Sequence, residues 1–218
     1  MATNRDIFDR IAQSWYGFRH WPLLRQELEE LATRWSGGRL VNLGCGHGAD
    51  FIPFAAGFQL TGLDFSRNML RQGRVYMQKH GFLASLVEGN LVALPFADGS
   101  FDHAIAVASY HHLDGENARA CAFAELRRVL RPGGEAFLSV WRNPREGPDV
   151  GPEDRLVPWR NGETVLQRYY HFFTPEELRS GLERSGFSVL RLEPDTRPAA
   201  EGSAGQGNLC VLAERIGA

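Results

Sequence analysis

The chain has 218 residues, 43% hydrophobic and 23% charged, with a formal net charge of -2. That length supports one domain with a sizeable core, and no run of eighteen or so apolar residues offers a transmembrane helix. Mild acidity argues against strong, non-specific nucleic-acid binding by the chain alone.

In chain order, helices come first. Apolar residues recur at three and four in "IFDRIAQSW" and "LLRQELEELATRW", so residues 4–35 read as helical. Residues 1–37 then form an N-terminal helical cap, closed by "SGG". "RLVNL" (39–43) is a short apolar run ending at glycines, a buried strand. Alternation follows: a helix at 48–56, a strand at 58–64, and a helix from Ser66, an N-cap, to His80. Strands are predicted at 84–88 and 101–109, a helix at 116–130, a stop and turn at "RPGG" (131–134), and a strand at 135–141. Such alternation predicts a parallel sheet in a doubly wound α/β fold.

Residues 142–173 read as a long insertion without regular structure, which in a compact domain is usually functional. Thr174 as N-cap, Pro175 at the first helical position and Glu177 at the third open another helix. Strands at 187–194 and 208–215, joined by a Gly/Pro/Ser loop (195–207), read as an antiparallel pair. The sum is one domain, 1–218, with seven mostly parallel strands and an antiparallel last one.

Cys45, Cys121 and Cys210 are far apart, which suits a reducing compartment. No CxxC or HxxxH pair predicts a metal site. The charged N-terminus lacks a signal-peptide core, so the expected location is the cytoplasm. The cations are almost all arginine, with Lys79 the single lysine. Arginine suits forked contacts to phosphate or carboxylate.

"GCGHG" (44–48) follows a strand and precedes a helix. Glycines let backbone turn sharply and approach a ligand, and a helix N-terminus beyond favours an anionic group. Asp64 ends the next strand, where an acid accepts from ribose hydroxyls. Gly44 to Ala49 also satisfies the dinucleotide pattern G-x-G-x-x-G/A, so this motif alone leaves NAD and S-adenosylmethionine both open. Gly48, the helical residues before the glycine strand, and the segments "LDFSRNML", "LPFADGSFD" and "LRPGG" favour the second.

With those segments, nearly the whole chain resembles the class I S-adenosylmethionine-dependent methyltransferases. The resemblance implies that Gly44, Gly46 and Gly48 wrap the methionine part, with Cys45 packed between them. It implies that Asp64 binds the ribose, Phe65 or Met69 packs near the adenine, Asn90 and Leu91 flank the adenine edge, and Ala108 lies by the methionine end. Asn42 and Asn90 stand where the family usually has an acid. Asn90 still offers a carbonyl oxygen. Asn42 removes a charge facing the cofactor's ammonium and reads as a neutral hydrogen-bonding group.

"WYGFRHWP" (15–22), "AVASYHHL" (106–113), "RYYH" (168–171) and "GNLCVLAE" (207–214) resemble a narrower group. These are the tRNA methyltransferases that esterify 5-carboxymethyluridine at the anticodon wobble position, including the domain fused to an AlkB-like hydroxylase. Tyr110 and Leu209 depart from that group's pattern. A carboxylate acceptor is ionised at neutral pH and needs a cation rather than a base. The expected acceptor residues are Arg19 holding the carboxylate between Trp15 and Trp21, Arg142 or Arg168 helping, and Tyr16 or Tyr169 stacking on a flipped-out base. His111 and His171 complete the candidates, although one of the His111–His112 pair reads as structural, bonded to a backbone carbonyl. The 142–173 insertion is the expected rim for the anticodon loop of tRNA. The group also implies a small zinc-binding activator, for which the apolar edge strand within 82–90 is the physical hook. Competing readings are a methyltransferase for a small carboxylic acid, phenol or amine, a non-catalytic module, and an NAD(P) enzyme. A cluster of Arg19, Arg142, Arg145, Arg160 and Arg168 at the cleft favours tRNA, and a closed apolar pocket favours a small molecule.

Overall fold

Thr3 starts the structure with a reciprocal cap. Its side chain takes the Asp6 N–H, and the Asp6 carboxylate returns to the Thr3 N–H at 3.0 Å. Both ends of the first turn are thereby satisfied, and α1 runs Asn4–Phe18. After a break at 19–24, α2 (Arg25–Trp35) ends at Ser36, which is left-handed (φ 54°). The computed structural model describes residues 3–143, 152–195 and 207–217.

The strands are β1 (Gly38–Leu43), β2 (Phe58–Asp64), β3 (Ser85–Glu88), β4 (Phe101–Val107), β5 (Leu130–Trp141), β6 (Glu153–Asn161), β7 (Thr164–Phe172), β8 (Phe187–Pro194) and β9 (Asn208–Arg215). The later helices are α3 (Arg67–His80), α4 (Glu116–Val129) and α5 (Pro175–Arg184). Seven strands form one sheet in the order β3-β2-β1-β4-β5-β9-β8. β1 to β5 pair in parallel, and β9 is antiparallel to both β5 and β8. Order reverses between β1 and β4, and in open α/β sheets ligands bind outside the carboxyl ends of strands at such a point.

Each sheet face is apolar and covered. Val41, Leu43, Ala104 and Leu138 pack with α4 and α5 residues such as Phe123, Leu126 and Leu182. Leu40, Ile105, Val107 and Phe137 pack on the other face with Leu28 and Leu31 of α2 and Tyr76 of α3. Glu135 anchors α2 to the sheet by accepting from Arg34 (2.6 and 2.8 Å) and from Trp35 Nε1 (2.6 Å).

Three predicted segments differ. The expected helix at 48–56 is a six-residue 3-10 helix, Ala49–Phe54, with Pro53 inside it. Proline lacks the N–H needed to extend an α-helical ladder. The expected turn at 131–134 belongs to β5: Leu130 faces Phe101 and Glu135 faces His103, so four residues bulge opposite Asp102. Gly134 permits this, because a Cβ there would lie 2.9 Å from the carbonyl oxygens of Arg131 and Asp102.

The third difference is largest. Within 142–173, expected to be structureless, β6 and β7 form an antiparallel hairpin turning at Asn161–Thr164. The hairpin packs on α1 and, through Tyr170 and Phe172, on Trp141 at the end of β5. Leu166 joins Ile7, Phe8, Ile11 and Ala12 of α1 and Met69 of α3 in a separate apolar cluster. Asn4 locks the two together: its amide donates to the Tyr169 carbonyl (3.1 Å) and accepts the Tyr169 N–H (2.9 Å). Residues 144–151, Arg145 among them, and most of the expected loop at 195–207 lie outside the described residues.

β3 is the sheet edge, as the edge-strand expectation requires, but it is only four residues long. Its last residue, Glu88, is engaged by Arg5 and by Arg67 (2.9 Å). Little open ladder remains for an added strand. Among the described residues no helix is long and apolar enough to cross a membrane, and no group of three or more His, Cys, Asp or Glu is placed to hold a metal ion.

Candidate functional site

A cavity of ≈ 290 Å³ opens over the carboxyl ends of β1, β2 and β4, beneath α1. Its floor is the glycine loop. The Gly44 and Cys45 N–H groups donate to the Leu63 carbonyl at 2.7 and 2.9 Å, bending the chain away from β1. Gly44 has φ 76°, and a Cβ there would meet Ser109 Cβ at 2.4 Å. Gly46 has φ 55°, and its Cβ would meet only Trp15 Nε1, 3.9 Å away across the cavity. The loop therefore offers bare backbone to a ligand. The following 3-10 helix is too short to present much dipole, so little here draws a pyrophosphate.

Asp64 closes one side. Oδ2 accepts the Gly46 N–H and Oδ1 the Ser66 N–H, each at 2.8 Å. Each oxygen keeps a lone pair for a donor in the cavity. Burial pushes its carboxyl up to about 6, against those two hydrogen bonds. A vicinal pair of ribose hydroxyls suits this acceptor. Phe65, Met69, Asn90 and Leu91 continue the wall, and Ala108, at φ 55°, lies opposite the glycines. A non-glycine residue in that region is strained and is held there by its surroundings; the Ala108 N–H is tied to Ser139 at 3.0 Å.

Residues 40–134 match a family model described as a methyltransferase domain. A protein of Encephalitozoon cuniculi named as a methyltransferase is 34% identical over 79% of this chain and 80% of its own length. The chain is a class I S-adenosylmethionine-dependent methyltransferase. A tRNA (carboxymethyluridine(34)-5-O)-methyltransferase of Schizosaccharomyces pombe is 28% identical to it, covering 84% of this chain and 88% of that one. One of the same name from Xenopus tropicalis is 31% identical over 96% of this chain but only 40% of that one. The methyltransferase shares its fold with Burkholderia thailandensis 1,6-didemethyltoxoflavin-N1-methyltransferase, solved with S-adenosylhomocysteine (TM-score 0.74, 20% identity, 98% of this chain and 87% of that one). It shares the fold equally with the cyclase SpnF (TM-score 0.73, 19% identity, 99% and 97%), so architecture alone does not specify the chemistry.

The residues expected at the cofactor separate into two sets. Gly44, Cys45, Gly46, Asp64, Phe65, Met69, Asn90, Leu91 and Ala108 of the methyltransferase all line the cavity. Gly48 and Asn42 do not. Gly48 (φ 86°) lies against the Phe51 ring and starts the 3-10 helix. Asn42 is buried in β1, and neither atom of its amide meets a hydrogen-bond partner among the described residues. The neutral hydrogen bond expected for it is absent among those residues. Cys45 is a buried thiol pushed well up by desolvation, a packing group rather than a nucleophile.

Of the expected acceptor residues, only Arg19 reaches the cavity. Its Nη2 donates to Asp50 Oδ2 at 2.9 Å, and its buried Nε meets no partner among the described residues. The bracing expected from two tryptophans is half present. Trp15 lines the cavity, whereas Trp21 is turned out and 53% exposed. Tyr16 faces His20, His47 and Tyr76 instead of the cavity. His111 is fully packed: Nδ1 accepts the Trp141 N–H (3.1 Å) and the ring stacks on Tyr170. The bond to a backbone carbonyl expected of one histidine of the pair is made by His112, to Tyr169 at 3.1 Å. His171 is clamped between Asp154 (2.6 Å) and Glu177 (2.8 Å), away from the cavity. Glu177 was the expected capping-box acid; it faces His171 instead, while Thr174 still caps the Glu177 N–H at 3.1 Å. Arg142 bridges to Phe173 beside the hairpin and does not line the cavity. Tyr169 spends its hydroxyl on Asp154 (2.8 Å). Arg168 is 5% exposed, behind Trp15, Trp159 and Tyr170, 4.8 to 6.0 Å from their ring centres, and no carboxylate pairs with it among the described residues.

Sequence reasoning passed over Phe8 and Asp50 and named His112 only within a pair with one structural member; all three line the cavity. Phe8 and Trp15 are seven apart on one face of α1, a signal that reads equally as core. His112 donates Nδ1–H to the Tyr169 carbonyl (3.1 Å), because a carbonyl only accepts. That fixes Nε2 as its free acceptor. Burial pushes the ring down to about 3, helped by the charges of Arg168 and Arg19, so it is neutral at physiological pH.

Proposed function

We propose that this methyltransferase esterifies a carboxymethyl group on the wobble uridine of tRNA. Arg19 carries the reading. It brings a guanidinium to the cavity with one buried donor that no described residue engages, the group a carboxylate calls for. Two relatives named for this reaction, each aligned over most of the chain, support the same acceptor.

S-adenosylmethionine supplies an electrophilic methyl on a sulfonium. The chain's residues do the rest by placement. Asp64 takes the ribose hydroxyls, the bare backbone at Gly44 and Gly46 admits the methionine part, and Phe65 and Met69 pack near the adenine. Asn90 Oδ1 already accepts the Val92 N–H (3.3 Å) and keeps one lone pair for the adenine edge. Arg19 aims the acceptor. The carboxylate it aims is already ionised at neutral pH, so no residue of this chain has a proton to remove. That last point matters because the site is poor in bases. His112 is too weak, and Asp50 and Asp64 are already engaged.

The test is methyl transfer from labelled cofactor to bulk tRNA. Nuclease digestion should release a base-labile methyl ester on a wobble uridine. Label found only on small carboxylic acids, phenols or amines, or label stable to mild alkali, rejects this acceptor.

A further inference from the structure

Arg19, which lines the cavity, is flanked in sequence by two aromatic side chains that do not line it, Phe18 (72% exposed) and Trp21 (53% exposed). Single exposed apolar residues are common and need no explanation. These two are different because their rings are held. Phe18 is braced by Trp159 of the hairpin at 5.2 Å and by Trp15, which itself lines the cavity, at 5.9 Å. Trp21 is held edge-on by His20 at 5.1 Å and His80 at 5.7 Å, and the Arg25 guanidinium sits 5.1 Å from its ring centre.

The surroundings of Trp21 are also cationic, against a chain whose net charge is -2. Lys79 Nζ lies 3.3 Å from His20 Nε2, and no carboxylate pairs with it among the described residues. Arg25 has only a loose partner, Glu29 at 3.9 Å, and both are about half exposed. A held aromatic ring rimmed by cations fits a polymer with flat bases and a phosphodiester backbone. Every base has a π-face to stack, and every linkage a charge to neutralise. A small metabolite held at Arg19 brings no neighbouring base or phosphate to these side chains.

We propose that Phe18 and Trp21 stack the nucleobases on either side of the nucleotide that enters at Arg19, with Lys79 and Arg25 on the adjoining phosphates. The ligand class is single-stranded RNA. This deepens the proposed function and rests on it for the identity of the central nucleotide, but not for the strand itself.

The experiment is fluorescence anisotropy of a short, fluorescein-labelled oligouridylate with the full chain. It is repeated for Phe18→Ala, Trp21→Ala, Trp21→Phe and Lys79→Ala. Each alanine at an aromatic position should weaken binding about tenfold, and Trp21→Phe should recover most of that loss. Lys79→Ala should reduce the slope of log K against log salt by about 0.7. S-adenosylhomocysteine affinity should be unchanged in all four. Alanine variants that bind as tightly as the wild type overturn the proposal, as does a wild type that prefers a matched duplex or binds no strand. Because the probe needs no methyl transfer, the two readings fail separately. Strand binding that depends on Phe18 and Trp21, without methylation of tRNA, sinks the proposed function alone. Methylation of tRNA that ignores both aromatics sinks this inference alone.

Discussion

The two ends of the cavity are made in opposite ways. The end expected to hold the cofactor is built around backbone and one carboxylate, the Gly44–Gly46 loop and Asp64 joined by β1–β2 pairing, with Phe65, Met69, Asn90, Leu91 and Ala108 completing the wall. The acceptor end is side chains brought from three distant segments: Arg19 after α1, His112 after β4, and the hairpin that holds both α1 and His112 through Tyr169. A short stretch, 44–69, supplies most of the first. The second exists only when segments from Asn4 to Tyr169 are folded together.

If the ends are independent, Arg19→Ala gives the largest effect at the acceptor end and almost none at the cofactor end. Transfer should fall by about 10²–10³-fold, with S-adenosylhomocysteine affinity close to wild type by calorimetry. The substitution also strands the buried Asp50, at a cost of about 3–5 kcal/mol of stability. Adding Asp50→Asn should restore the melting temperature without restoring transfer. Recovery of both would mean that Arg19 acts only as the partner of Asp50.

Asp64→Ala should do the converse, weakening cofactor affinity by about 10–100-fold while leaving strand binding untouched. The acidity of Asp64 sharpens this. Its carboxyl titrates near 6 in the free protein, and ribose hydroxyls prefer the ionised form as acceptor. Binding therefore releases a proton below about pH 6, and affinity falls by up to about tenfold per unit as pH drops through that range. Calorimetry in buffers of different ionisation enthalpy reads the proton directly. The sign for stability is opposite. A carboxyl raised above its ordinary value destabilises the folded state as pH rises from about 4 to 6, so Asp64→Asn should remove that slope from a pH series of melting temperatures.

The smallest effect belongs to His112. Its Asn variant keeps a donor for the Tyr169 carbonyl and should cost less than tenfold in rate, with no change in the shape of the pH–rate profile. A general base would cost about 10²–10⁴-fold, and a loss of that size would make the acceptor an alcohol, phenol or amine.

The same contrast explains what was legible. β2, α3, β8 and β9 fall where apolar alternation and the Ser66 cap put them. These signals are local. "RPGG" misled because glycine and proline mark a bulge as readily as a turn, and the pairing that decides lies on β4. The hairpin was missed because half of it faces solvent and its buried half, Trp159 and Leu166, is buried by α1, some 140 residues earlier. At the cavity, the placement of Gly44, Gly46 and Asp64 on its wall followed from a motif, whereas the facing of Tyr16, His111 and His171 did not. Each is aromatic or polar in a helix or strand, and only its partners decide whether it points at a ligand or at Tyr76, Trp141 and Asp154.

The bond from Asn4 to Tyr169 spans 165 residues. On the ribosome, the glycine loop and Asp64 have emerged while the hairpin is still unmade, and α1 waits for the strand that Asn4 will hold. Closing so long a loop is slow, so the site gains the means to grip its cofactor well before it can aim a substrate at it.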